Sequence, residues 1–249
     1  MNLIIDVGNT LVKLAIFKND EIIIKKTIVS ESILDVLKTI KNDFKAVNRA
    51  ILSTVGKLDA ETINIIKTLF DLLILSSEIK LPFISLYETP KTLGVDRIAL
   101  VCASVKQFKN TNVLIIDAGT CITYDFINTK NEYLGGAISP GLGVRYKSLK
   151  TLTTDLPLLE VEMPQGIIGK STPASIHSGV VYGVLKEIDG VVEEYKQKYS
   201  DLTVILTGGD SNFLSKQLKS SIFATPNFLL EGLNYILQFN SNEWLKNLY

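Results

Sequence analysis

The chain has 249 residues with 26 basic and 26 acidic side chains, a formal net charge of zero, which removes the electrostatic case for a nucleic-acid or anionic-membrane partner. Hydrophobic residues make up 46% and charged ones 21%, which excludes a disordered or collagen-like polymer. No apolar stretch approaches the ~18 residues of a bilayer span, the run Leu3-Ile4-Ile5 meets Asp6 too soon for a signal-peptide core, and two cysteines (Cys102, Cys121) without a CxxC motif fit a reducing, cytoplasmic setting.

In chain order, Leu3-Ile4-Ile5 reads as an apolar strand closed by Asp6, followed by the turn Val7-Gly8-Asn9-Thr10 and an alternating strand from Leu11 to Phe17. After the Lys18-Asn19-Asp20 turn, Glu21 to Ile28 reads as a third strand. Ile33, Leu34, Leu37 and Ile40 recur at helical spacing from Ser30, the expected N-cap, to about Lys41. Arg49 to Val55 predicts a strand, Asp59 to Phe70 a helix, Leu72 to Leu75 a strand, and the stretch after Pro90 a helix ending near Phe108.

The theme then returns. Leu114-Ile115-Ile116-Asp117-Ala118-Gly119-Thr120 repeats the apolar strand, the terminal Asp and the Gly-containing turn that ends in Thr, 111 residues further on. Strands follow over 112–118, 121–128 and 132–138, then helices interrupted by one strand, Leu202 to Leu206, with Ser175 to Tyr199 the longest helical segment. Two halves of like order predict two α/β domains, 1–110 and 111–249, facing one another across a cleft and hinged near Asn110-Thr111-Asn112. Gly135 to Gly143 is too glycine-rich for a regular strand, and reads as a loop over the site or a tight interdomain crossing.

Each Asp-x-Gly turn offers a particular chemistry. An Asp at a strand end is aimed beyond the sheet edge, a Gly lets the backbone approach a ligand closely, and turn N–H groups with a Thr hydroxyl can bind phosphate oxygens. The carboxylate must act on a phosphate through a cation, of which Mg²⁺ is the apt one. An ordinary hairpin is the plainer reading of either copy taken alone. Gly208-Gly209 after the strand 202–206 is either a helix-entry turn or a place where a ribose or flat ring comes close. Asp96-Arg97 is either a surface pair at a helix start or an acid–base and carboxylate-binding pair. His177, the one histidine, suits a structural role better than a catalytic one.

Asp6-Val7-Gly8-Asn9-Thr10, Gly94-Val95-Asp96-Arg97, Asp117-Ala118-Gly119-Thr120, Gly135-Gly136-Ala137-Ile138-Ser139-Pro140-Gly141, Ser171-Thr172 with Ser178-Gly179, and Thr207-Gly208-Gly209-Asp210 occur in that order. As a set they resemble type III pantothenate kinase, of the acetate and sugar kinase/Hsp70/actin superfamily, over essentially the whole chain. The resemblance implies two duplicated ribonuclease H-like (actin-like ATPase) domains and ATP-dependent phosphorylation of pantothenate to 4′-phosphopantothenate, the first step of coenzyme A biosynthesis. It further implies that Asp6, Val7, Gly8, Asn9, Thr10, Leu11, Val12 and Lys13 form the first phosphate loop, and that Thr120 meets ATP from the second. Tyr87, Gly94, Val95, Asp96, Arg97 and Thr172 would contact pantothenate, with Asp96 the general base. Asp117 would hold a monovalent cation (K⁺ or NH₄⁺), beside Mg²⁺ on the nucleotide, and the enzyme would be a homodimer, with Ser175 to Tyr199 a candidate interface. Cys121 stands where the family usually has Ala. Rival expectations are a superfamily kinase for another small hydroxylated acid or sugar, and a catalytically silent regulator. A silent homologue is expected to lack at least one of Asp6, Asp96 and Asp117, all present here.

Overall fold

The computed structural model describes residues 1–56 and 58–241. Two compact units divide the chain, the first being Met1–Lys109 joined by the segment from Asn227 onward, the second Asn110–Pro226.

In the first unit, β1 (Asn2–Val7), β2 (Val12–Lys18) and β3 (Glu21–Ile28) form an antiparallel meander, and β4 (Arg49–Thr54) and β5 (Asp71–Ile74) extend it in parallel, in the order β3-β2-β1-β4-β5. The central strand β1 carries consecutive apolar residues, Leu3 to Ile5, as suits a strand covered on both faces. Leu3, Ile5 and Val7 pack with Ile33, Leu37 and Ile40 of α1 (Ile33–Asp43) and Ile66 of α2 (Ala60–Leu69). α3 (Val95–Gln107) and α8 (Phe228–Phe239) lie against one another and against the same sheet. A two-residue strand, β6 (Ile84–Ser85), precedes α3. The turn between β2 and β3 places Asn19 at φ 56°, a left-handed conformation that Asn tolerates. Asp59 caps α2, accepting from the Thr62 N–H at 2.7 Å.

The second unit repeats the plan. β7 (Asn112–Ala118), β8 (Cys121–Ile127) and β9 (Glu132–Pro140) are antiparallel, β10 (Leu202–Thr207) and β11 (Phe223–Ala224) are parallel to β7, and the order is β11-β10-β7-β8-β9. Asn131 takes φ 58° in the β8–β9 turn, the counterpart of Asn19. The register also slips at matching places, between Ile16 and Phe17 in one unit and between Phe126 and Ile127 in the other. The core packs Leu114, Ile116 and Tyr124 against Val181, Val184 and Ile188. α4 (Leu142–Leu152) follows β9. A continuous helical stretch then runs through α5 (Thr172–His177), one π-helical turn (Ser178–Tyr182) and α6 (Gly183–Lys198), and α7 (Ser211–Ser215) follows β10.

Three expectations are corrected. Asn227 to Ser241 belong to the first unit, not to a domain 111–249. Phe228, Leu233 and Ile236 of α8 are fully buried, its Asn234 accepts from Asn2 and donates to the Asn19 carbonyl (2.8 Å each), and at Gly232 any Cβ would collide with the Ala99 carbonyl of α3. Ser30 caps nothing: it opens a 3₁₀ turn whose N-cap is Val29, and α1 begins only at Ile33. The glycine-rich run continues strand β9 through Pro140, after a slip in register beside Gly135, which takes φ 103°. At Gly136 a side chain would strike the Tyr124 backbone, so glycine here lets two strands lie close rather than loosening them.

Candidate active site

Asp6 ends β1, in register with Lys13 on β2 and Ser53 on β4, so its carboxylate shares one face of the sheet with both. It is only 6% exposed. Burial pushes its pKa from 3.8 up to about 6, Lys13 draws it back, the nearby Asp96 charge raises it again, and the Ser53 hydroxyl lowers it. Two carboxylates from distant parts of the sequence therefore feel each other directly. The first turn closes with the Gly8 N–H donating to the Leu11 carbonyl at 3.1 Å. Gly56 packs on Gly8 so closely that a Cβ there would meet the Gly8 carbonyl. Asn9, Thr10 and Leu11 are exposed at the tip, whereas Val7 and Val12 put their side chains into the core, leaving only their backbone to face a ligand.

α3 starts at Val95, with Gly94 as its N-cap and Asp96 in the first turn, where the helix dipole favours an anion. The Asp96 carboxylate accepts from the Arg97 N–H at 2.8 Å, and a Cβ on Gly94 would run into it. Arg97 is 5% exposed and sets its guanidinium over the Tyr87 ring, 5.5 Å from the centroid. The first unit thus gathers Asp6, Lys13, Tyr87, Gly94, Asp96 and Arg97. Sequence reasoning missed Ser53, although pairing 49–55 beside β1 in parallel would have put it next to Asp6.

In the second unit Asp117 occupies the place on β7 that Asp6 holds on β1, half-buried, in register with Thr123 and Thr207. Its turn is one residue tighter: the Gly119 N–H donates to the Cys121 carbonyl at 2.9 Å, and Thr120 is exposed at the tip. The Gly141 N–H donates to the Thr120 carbonyl at 3.0 Å. Gly208 takes φ 94°, and a Cβ there would meet both Asp117 Oδ1 and the Ala118 carbonyl. The glycine pair leads into α7, which begins at Ser211. Asp210, whose carboxyl burial raises above its ordinary pKa, stands at the N-cap of α7 without capping it by its side chain, and its N–H donates to the Ala118 carbonyl at 2.9 Å. Thr172 is exposed in the first turn of α5, on the rim of a cavity of about 590 Å³ that Arg145 and Ile176 also line. His177 Nδ1 lies 2.8 Å from the Tyr146 hydroxyl, which fits a structural role. Cys121 is exposed and unpaired as a thiol.

The profile of the type III pantothenate kinase family matches residues 2–194. The chain belongs to the type III pantothenate kinase family. It is 48% identical over 243 residues to a type III pantothenate kinase of Christiangramia forsetii, covering 98% of this chain and all of that one. It is 42% identical over 239 residues to a type III pantothenate kinase of Flavobacterium johnsoniae, covering 96% and 98% of the two chains. Among solved structures, a Baf family transcriptional activator of Campylobacter jejuni superposes with a TM-score of 0.62 at 22% identity over 96% of this chain and 98% of that one. A glucokinase from an Antarctic psychrotroph superposes with a TM-score of 0.53 at 10% identity over 96% and 99%. At such identities these structures establish the shared actin-like fold alone. Family membership makes the protein a kinase with an alcohol acceptor, in coenzyme A biosynthesis.

Proposed function

We propose that the protein transfers the γ-phosphoryl group of ATP to the terminal hydroxyl of pantothenate, with the residues of the first unit binding and activating the acceptor. The observation that carries this reading is the convergence of Asp6 and Asp96, close enough for the charge of one to raise the pKa of the other, beside a buried Arg97 stacked on Tyr87. Pantothenate carries one carboxylate and one primary hydroxyl. Arg97 offers a planar fork to the first, and Asp96 accepts the proton of the second as its oxygen attacks phosphorus. Tyr87 fixes the guanidinium plane, and Gly94 leaves the room that a side chain would take from Asp96. The turn Asp6–Lys13 and Thr120 serve the polyphosphate, by backbone N–H groups, hydroxyls and the Lys13 ammonium. Positioning and charge neutralisation are most of what phosphoryl transfer asks of a protein.

Mg²⁺ suits Asp6, because a second carboxylate nearby leaves a hard-oxygen environment with too little positive charge. When bound it would supply the charge neutralisation on the phosphates that Lys13 gives only in part. A monovalent cation suits Asp117, where the carboxylate oxygen and the Ala118 carbonyl converge on the space that a side chain at Gly208 would fill. A cytoplasmic location is supported by the two free cysteines, and a homodimer by the exposed apolar residues Leu152, Ile167 and Ile168. The test is coupled turnover of pantothenate with ATP, with and without K⁺. Turnover that rises with K⁺ supports the assignment, and glucose or acetate displacing pantothenate as the preferred acceptor overturns it. Light scattering over a range of concentrations tests the dimer.

A further inference from the structure

We infer that Arg145 is a positioning residue for the second phosphate turn, acting through the Ser139-Pro140-Gly141 segment. The inference rests on the reading of Thr120 as a polyphosphate contact, and everything it uses lies within the second unit.

The turn Gly119-Thr120 has little to hold it from its own sequence. Apart from the bond that closes it, its backbone is clamped by Gly141, whose N–H donates to the Thr120 carbonyl at 3.0 Å. Gly141 sits so close that any Cβ would strike the Gly119 and Thr120 carbonyls. The place of Thr120 is therefore set by the place of Gly141, and the end of β9 sets Gly141. That end is gripped from behind by one side chain. Arg145, a turn into α4, donates from Nε to the Pro140 carbonyl at 2.8 Å and from Nη2 to Ser139 Oγ at 2.9 Å. Its guanidinium also pairs with Glu187 of α6, and the Tyr124 hydroxyl of β8 donates to the other Glu187 oxygen at 2.9 Å. Burial pushes the Glu187 carboxyl upward, but its hydrogen bonds from Arg145, Ser139 and Tyr124 outweigh this and leave it below its ordinary value.

A guanidinium can serve the carbonyl, the hydroxyl and the carboxylate together because its donors diverge in a fixed plane. An ammonium on the same stem is a point donor and cannot hold all three. The brace is thus specific to Arg, and it joins helix α6 and strand β8 to the short segment on which the Thr120 turn leans. Losing it removes the side-chain grip and leaves the segment to its pairing with Cys121 and Ile122 of β8, without emptying the core, since Leu142 and Tyr146 of α4 stay buried.

The experiment measures equilibrium binding of ATP and of adenosine, without acceptor, to the wild type, Arg145→Lys and Thr120→Ala, together with melting curves to choose a temperature at which all three are folded. Arg145→Lys is expected to weaken ATP about tenfold while adenosine binding stays unchanged, and Thr120→Ala to show the same selective loss. A merely structural role would weaken both ligands equally, or neither, and either result overturns the inference. Selective loss in Thr120→Ala with none in Arg145→Lys also overturns it, leaving the turn's reading intact. No ATP loss in Thr120→Ala overturns the reading of the turn itself and the inference with it. Glu187→Gln, which keeps the side-chain shape but removes the charge and turns one of the two acceptor oxygens into a donor, is expected to fall between wild type and Arg145→Lys.

Discussion

The buried carboxylate of Asp6 gives the sharpest prediction, because its environment opposes the ionised form that its role demands. Its pKa rises from 3.8 in the unfolded chain to about 6 in the folded protein. At about 1.4 kcal/mol for each tenfold change in acidity, the difference amounts to about 3 kcal/mol. The sign follows from proton linkage: between the two values the folded state holds the proton that the unfolded state has released, so stability falls as pH rises through this window. Below 3.8 both states are protonated and nothing is lost; above 6 the whole penalty is present. Asp6→Asn removes it. The nucleotide-free variant is expected to be more stable than wild type by about 3 kcal/mol at pH 8, about half that at pH 5 and almost nothing at pH 3.5. For a chain of this size that is roughly 6–12 °C in melting temperature at pH 8. The same variant should lose most of its turnover, a trade of activity for stability. Parallel urea or thermal melts of both proteins across pH 4–8 measure the difference and cancel every other titrating group. A gap independent of pH, or a variant less stable than wild type at pH 8, would refute the reasoning. Asp96→Asn should narrow the gap, because one of the charges raising the Asp6 pKa is then gone.

Further outcomes are expected elsewhere in the site. Asp96→Asn should lower kcat by about 10²-fold or more, the usual worth of a positioned general base, while calorimetric ATP affinity holds; a near-normal kcat would remove Asp96 from that role. Arg97→Lys loses the fork and the stacking on Tyr87, and at about 1.5–3 kcal/mol for a charged hydrogen bond should raise KM for pantothenate roughly 10- to 100-fold. KM for pantothenol, which has an alcohol in place of the carboxylate, should move little. Gly208→Ala forces a side chain into φ 94° and against Asp117 Oδ1, which should cost at least about 1–2 kcal/mol in melts and abolish the response of turnover to K⁺.

Most of the fold was legible because its strands carry their own signals. The apolar runs 2–7 and 112–118 are buried on both faces, the turns carry Asn or Gly where the backbone needs a left-handed residue, and the doubled Asp-x-Gly ending announced the duplication. What escaped was information held between elements. Nothing local in the helix 228–239 marks its unit; Gly232 lying on the Ala99 carbonyl and Asn234 bonded to Asn2 and Asn19 show which one it completes. The glycines of 135–136 look like a loop in one dimension, yet the close approach of β8 is what requires them. In the site, Asp6, Gly94, Asp96 and Arg97 were legible from their motifs. Ser53 was not, since a lone Ser at a strand end acquires meaning only from its register with Asp6. Arg145 and Glu187 stand 42 residues apart, and no local pattern links them.

The two aspartates at equivalent strand ends are not equivalent chemically, and the sequence around each explains why. Asp6 is flanked by a complete turn of four residues and sealed nearly dry, with Lys13 and Asp96 setting its charge. Asp117 has a shorter turn and remains half-buried, with a glycine in the left-handed conformation against it. A dry carboxylate beside another suits a dication, whose charge repays the desolvation of both. The half-buried Asp117, in register with Thr123 and Thr207, is the one for which a monovalent cation is proposed. The same scaffold thus occurs twice, and the two proposed roles rest on the divergence of a few side chains next to each aspartate.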